Sequence, residues 1–313
     1  MRSSSPIAGI LILVLSTWAL STLDASGKWV MAAGLSLFFM VWVRYLLHWI
    51  LVVCFVVPIT GWGIFRAKQP RMQIIRGVVM LLATYSFFTT LSYLPQAEAT
   101  AINFLAPLLM LAAAPWVLHE PPRLSRWVAA LAGFVGVLII IRPDSGLHPV
   151  GVFFGLVTAC IFATQFIVTR KVAMDHAMTT LLWSGSIGAI LTTISLPFVF
   201  KAALPVLRDF HVSDWVALMA TGVFGALGHL LQIQAYQRAP ASLLAPFVYL
   251  QIVSAAGLGW LLWGQFPDAL TWLGIAIICS SGVVIGLIEW RRSRTENAQA
   301  GNGSGKKLKM SRH

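Results

Sequence analysis

The sequence is poor in charge, poorer still in acid, and nearly free of cysteine. Charged residues make up 10% of its 313 positions, with 10 Asp and Glu against 22 Lys and Arg, whereas a soluble domain carries about 25%. So little charge excludes an ordinary solvated surface. Cys54, Cys160 and Cys279 are odd in number, lie inside apolar runs and lack metal-type spacing, which excludes a disulfide framework and a zinc site and leaves them as packing residues. There is also no Gly-rich phosphate loop, no nucleophile elbow and no soluble stretch large enough to hydrolyse a nucleotide, so nothing points to an enzyme or to ATP as an energy source. The net charge of +12 raises nucleic acid as a partner. The basic residues, however, sit in short loops and the C-terminal tail, and membrane topology accounts for them instead.

What is present is hydrocarbon: 58% of residues are hydrophobic and the mean hydropathy is +0.82. A bilayer span takes about 20 mostly apolar residues. The apolar runs predict ten spanning helices, over 6–25, 35–57, 73–93, 97–118, 125–141, 150–172, 178–200, 213–236, 241–263 and 269–289. Arg2 followed by the run Ile7 to Leu20 has the outline of a signal peptide, but no small-residue cleavage site follows it, so it reads as a retained first helix. The links Leu94 to Gln96 and Gln237 to Pro240 are too short for anything but antiparallel hairpins.

The chain repeats itself. Pro95, Pro122 and Trp127 recur as Pro240, Pro267 and Trp272, each 145 residues later, while Pro6 and Lys28 recur as Pro149 and Lys171, 143 residues later. Residues 1–149 form a first repeat of five helices, 150–290 a second, and 291–313 a basic, Gly-rich tail whose composition predicts a disordered end. Because five is odd, the second copy must enter the membrane from the opposite side, giving inverted repeats, an arrangement found in secondary transporters. With the N-terminus inside, the cytoplasmic segments hold sixteen Lys and Arg and the other face four, namely Lys28, Arg142, Lys201 and Arg208; Arg44 and Arg76 fall within or at the start of spans. Both termini are therefore expected to be cytoplasmic.

The two hairpins, EATAINFLAPLLMLAAAPWVLHEPPRLSRW and PASLLAPFVYLQIVSAAGLGWLLWGQFPDALTW, resemble the paired EamA modules of the drug/metabolite transporter superfamily, over about residues 6–290. The resemblance implies ten helices with both ends inside and the movement of small metabolites across a bacterial-type inner membrane. Within that family the second hairpin is most similar to the subgroup containing riboflavin and S-adenosylmethionine uptake proteins. One departure stands out: the acidic residue at the end of the hairpin is Glu120 in the first copy but Gln265 in the second.

Polar residues at membrane depth are costly, so each is a candidate for function. Arg44, which matches a family arginine, is either an anion contact or a structural clamp on carbonyls or an acid. His48, one turn on and on the same face, is either a hydrogen-bonded structural residue or a proton carrier. Glu98 opens the fourth span, where it either caps the helix or serves a proton or substrate, and Asp24 reads as interfacial. His229, Gln232 and Tyr236 share one stripe of the eighth span, continued by Gly222, Gly225 and Gly228, whose role is close helix approach. Trp18, Tyr85, Phe88, Asn103, Gln165 and Tyr249 complete the candidate substrate-binding set. The expectation is an all-α membrane protein that moves a small amphipathic substrate by alternating access, with the bilayer as surroundings, no cofactor, no nucleic acid, and a monomeric or homodimeric state. A non-transporting receptor or scaffold is the alternative.

Overall fold

A computed structural model describes residues 6–117, 123–142, 145–239, 244 and 247–310, with no side-chain detail for Pro6 or, beyond Ile288, for any residue but Arg291. Pro122, Glu120 and Pro240 lie outside the described residues. Every regular element among the described residues is helical. Eight helices are long and apolar enough to cross a membrane: α1 Ile7–Ala32, α2 Leu37–Thr60, α3 Pro70–Tyr93, α4 Gln96–Val117, α6 Pro149–Lys171, α7 Ala177–Arg208, α8 Val212–Arg238 and α10, whose apolar part is Ala269–Ile288. Two shorter apolar helices, α5 Leu124–Ile140 and α9 Leu250–Trp263, stand among them. The chain is thus a multi-pass membrane protein.

Local chemistry fixes where these helices start. Ser36 Oγ accepts from the Phe39 N–H at 3.2 Å to cap α2, and His148 and His176 do the same for α6 and α7 through Nδ1, at 3.3 and 3.2 Å. Asp214 reaches back to the His211 N–H at 2.9 Å in a capping box on α8. Prolines set the breaks. Pro58 cannot donate into its helix, and α2 loosens into a π-turn over Val52–Val56 just before it. Pro107 leaves the Asn103 carbonyl without its helical donor, and α4 breaks at Phe104. The Phe104 ring meets Tyr249, just ahead of α9, with centroids 4.9 Å apart.

Helix α1 packs on α8 and α9, and α6 packs on α3 and α4; α2 meets α7 and α8, α3 also meets α7, and α5 lies along α10. The last pair touches through backbone: a Cβ on Gly136 would sit 2.8 Å from the Gly274 carbonyl oxygen, and one on Gly274 2.6 Å from that of Gly136. The stripe on α8 works as close packing requires, since a Cβ on Gly222 would lie 2.3 Å from Leu47 and one on Gly228 2.7 Å from Leu20.

Helix α10 is described as far as Met310. Two details differ from the sequence reading. Cys54 and Cys160 are exposed on the helix exterior, and only Cys279 is partly packed. Asp24 is not interfacial but 6% exposed, within α1.

Candidate functional site

Arg44, Tyr45 and His48 leave one face of α2 for the interior, where all three are buried. Glycines on α7 make room for two of them. A Cβ on Gly188 would come 2.1 Å from the Tyr45 ring and one on Gly185 2.9 Å from His48 Cδ2. Opposite Arg44 stands Gly225 of α8, where a Cβ would lie 3.8 Å from Nε.

The hydrogen bonds around Arg44 converge on one hydroxyl. Thr84 donates its single proton to the Met80 carbonyl at 2.9 Å, so its oxygen accepts from Arg44 Nη1 at 3.1 Å and from the Tyr45 hydroxyl at 3.0 Å. The guanidinium also lies 5.3 Å from the Tyr45 ring centre and 5.5 Å from that of Phe88, within cation–π range. Arg76 on α3 is held in the same manner: Nε donates to Thr169 at 2.9 Å and Nη1 to Ser184, and both hydroxyls donate back to their own helices. Among the described residues no carboxylate ion-pairs with either arginine.

These groups line a cavity of about 430 Å³ between α2, α3, α6, α7 and α8. Its opposite wall carries His229, Gln232 and Tyr236, and the His229 ring stands edge-on to His48 with centroids 6.1 Å apart. The mouth lies at the start of α3 and α7 and the end of α6 and α8, where Asp175 accepts from the Lys68 N–H at 2.6 Å and from Gln73 Nε2 at 2.9 Å. Desolvation raises the Asp175 carboxyl, but those hydrogen bonds and the Lys68 charge outweigh it and hold it below its ordinary range. Among the described residues no group of three or more His, Cys, Asp or Glu is placed to hold a metal.

The other end of the molecule is crossed by hydrogen bonds between helices. Lys28 donates to the Leu94 carbonyl at 2.8 Å and to Gln265 Oε1 at 3.2 Å, and its ammonium sits 5.1 Å from the Trp263 ring centre. Trp29 Nε1 donates to Asp214 Oδ1 at 2.8 Å, tying α1 to α8. Gln96 Nε2 donates to the Ser21 carbonyl at 2.8 Å, and Ser21 and Ser254 share a 2.6 Å hydrogen bond across α1 and α9. Arg142 pairs with Asp268 at the surface of this end. Hydrogen bonds from Thr271, its backbone N–H first, and then Arg142 hold the Asp268 carboxyl below its ordinary range.

The structure gathers Arg44, His48, His229 and Gln232 around the cavity and leaves the other candidates off its wall. Trp18 is 47% exposed on α1, with its ring near Gly257. Tyr85 meets Phe38 with ring centres 5.2 Å apart and planes tilted by 46°, and Phe88 is 1% exposed, filling the notch at Gly27 beneath Arg44. Glu98, Asn103 and Gln165 each bury a polar atom without a protein partner, namely Glu98 Oε2, Asn103 Oδ1 and both ends of the Gln165 amide. Tyr249 packs on Phe104 and runs its hydroxyl into the space at Gly282. Arg76, Tyr45 and Thr84 were not among the candidates. Arg76 lies six residues beyond Pro70, inside the span, and the cost of a charge at that depth was its signal.

Comparisons with known proteins agree with this architecture. The model of the EamA-like transporter family matches residues 7–142 and again 149–287. An S-adenosylmethionine uptake transporter of Rickettsia bellii is 29% identical over 227 residues, 72% of this chain and 75% of that protein. The pseudopaline exporter CntI of Pseudomonas aeruginosa is 28% identical over 87% of this chain and 93% of its own length, and a riboflavin transporter of Vibrio cholerae is 28% identical over 74% and 76%. One solved crystal structure superposes with a TM-score of 0.61 at 19% identity, covering 93% of this chain and 99% of the other. That last likeness concerns the fold alone.

Proposed function

The chain belongs to the EamA-like transporter family, and from that premise we propose that it is a secondary transporter which carries a small amphipathic metabolite across the membrane by alternating access. One observation carries the mechanism: a largely apolar cavity with a few placed polar groups opens at one end among five helices, while hydrogen bonds between α1, α4, α8 and α9 cross the other. Such an asymmetric state is one of the two that an alternating carrier visits.

The packing supports ten spans in two inverted repeats, residues 1–149 and 150–290. Exchanging the halves turns the α1–α8 contact into α6–α3, α1–α9 into α6–α4, and α2–α8 into α7–α3, all of which occur, while α2–α7, α4–α9 and α5–α10 map onto themselves. Individual contacts follow the same rule. Gly222 against Leu47 is mirrored by Gly77 against Ile187, where the glycines stand 145 residues apart and their partners 140. Arg66, Lys68, Arg71, Arg170, Lys171 and Arg238 belong to the helix ends and loops on the side of the mouth, and the excess of Lys and Arg in cytoplasmic loops supports the reading that the mouth and both termini face the cytoplasm.

Flux in proteoliposomes tests the reading, with S-adenosylmethionine and riboflavin, named for the relatives, at the head of a metabolite panel. Saturable uptake down a gradient is the expected result. Binding without flux for every compound bound, by protein shown to be folded, would replace the transporter with a receptor.

A further inference from the structure

Arg44 is 7% exposed, yet it spends only one of its five N–H donors on a protein hydrogen bond, that to Thr84. Arg76 spends two, on Thr169 and Ser184. A buried cation is ordinarily matched by an acid, because desolvation is costly without one. Here, among the described residues, no carboxylate touches either arginine. Asp24 acts on Arg44 only through space, from α1 and off the cavity wall, and Asp175 at the mouth has both oxygens engaged by Lys68 and Gln73. His48 and His229 face the same space and add donors or neutral rings but no negative charge.

The two arginines are also ordered in depth. Thr84, which holds Arg44, follows Arg76 by eight residues of α3, about 12 Å of helix rise, so Arg76 stands near the mouth and Arg44 deeper in. Both come from the first half of the chain. At the positions 140 and 145 residues on, the second half has Ser184 for Arg44 and Thr221 for Arg76, so the repeat supplies no compensating charge.

We propose that the cavity is an anion seat: it takes a ligand bearing a carboxylate or phosphate group, which passes Arg76 and is bound by the free donors of Arg44. The forked donors of a guanidinium match either group. This deepens the transporter reading, resting on it for what the seat is used for, but the charge selectivity exists whether or not flux occurs.

The test uses full-length protein in detergent with Cys54, Cys160 and Cys279 replaced by Ala and with Met80→Cys as the reporter. Met80 lines the cavity one turn from Arg76 and one turn from Thr84. Rates of modification by an anionic methanethiosulfonate, the sulfonatoethyl reagent, and by its cationic trimethylammonium counterpart are compared. In folded protein the anion-to-cation rate ratio is expected to exceed that of the SDS-unfolded chain by about tenfold or more. Arg44→Gln and Arg76→Gln each lower it several-fold, and Arg44→Lys retains it. A folded-state ratio no higher than the unfolded one overturns the proposal, and this holds without any arginine variant, so a misfolded variant does not blunt the test.

A second arm follows labelling of the same cysteine by uncharged N-ethylmaleimide in acetate or in phosphate at matched ionic strength. Slowing by one of them supports the seat and identifies its preferred group; slowing by neither overturns it. A high ratio with no flux leaves the seat standing and removes the transporter reading, whereas flux with a flat ratio does the reverse.

Discussion

The two ends of the molecule handle charge in opposite ways. At the closed end three charges hold partners on other elements: Lys28 a carbonyl, an amide and an indole ring, Asp214 an indole N–H, Arg142 the carboxylate of Asp268. At the open end Arg44 and Arg76 meet hydroxyls that are themselves committed to backbone carbonyls. The first arrangement ties helices together. The second leaves donors free, which is what a binding site needs and a latch does not. A substitution should therefore act on binding at one end and on the balance of states at the other.

The largest effect is expected at Arg44. Removing a buried charge that grips a charged ligand group costs about 2–5 kcal/mol, so Arg44→Gln should weaken ligand binding by about thirtyfold or more in a titration, with Arg44→Lys falling in between. An equal loss in Lys and Gln variants would mean that the side chain acts as a clamp instead. Next comes Gly188. A methyl there lands 2.1 Å from the Tyr45 ring, and overpacking of this kind costs about 1–3 kcal/mol. Gly188→Ala should lower the apparent melting temperature, and Tyr45→Leu in the same chain should restore part of the loss.

At the closed end the expected effects are smaller in energy and different in kind. Trp29→Phe removes one hydrogen bond and Lys28→Met two, each worth about 0.5–1.5 kcal/mol net, so the population open at that end should rise by about twofold to tenfold for each bond lost, read from labelling of a cysteine placed there, while the fold remains intact. The smallest effect concerns Asp175. Its carboxyl is held below the ordinary value in the folded state, so its contribution is present above the unfolded value of about 3.9 and is lost as pH falls through the folded one. Between pH 8 and 5 the tether from the Lys68 loop to Asp175 should not change, and melting curves of wild type and Asp175→Asn should run parallel across that window. A crossing near neutral pH would show that another group governs the mouth.

How much of this was legible in the sequence depends on the physics involved. Hydropathy marks spans, so the membrane class and most helices follow from composition, and the spacing of Gly222, Gly225 and Gly228 announces a packing face. Arg44, His48, His229 and Gln232 were legible because ionisable and amide groups at membrane depth are expensive and rare. Thr84, Thr169 and Ser184 were not, because a hydroxyl within a span is common and satisfies itself on its own helix; only the approach of another helix turns it into an acceptor for arginine. The pairing of Tyr45 with Gly188 and of His48 with Gly185 was likewise hidden. Each partner is unremarkable alone, and the match exists only where α2 crosses α7. Asp24 illustrates the reverse error: near the end of an apolar run it reads as interfacial, whereas α1 extends to Ala32 and carries it inside.

The most direct test of the central claim, that the open and closed ends exchange roles, is to follow both in one protein. Ala177→Cys reports the exposed mouth and Ala97→Cys the buried opposite end, at 3% exposure, each measured by N-ethylmaleimide labelling with and without Lys28→Met. The account predicts reciprocal change: Ala97→Cys becomes faster to label as Ala177→Cys becomes slower. Acceleration at both ends together, or at neither, would contradict it.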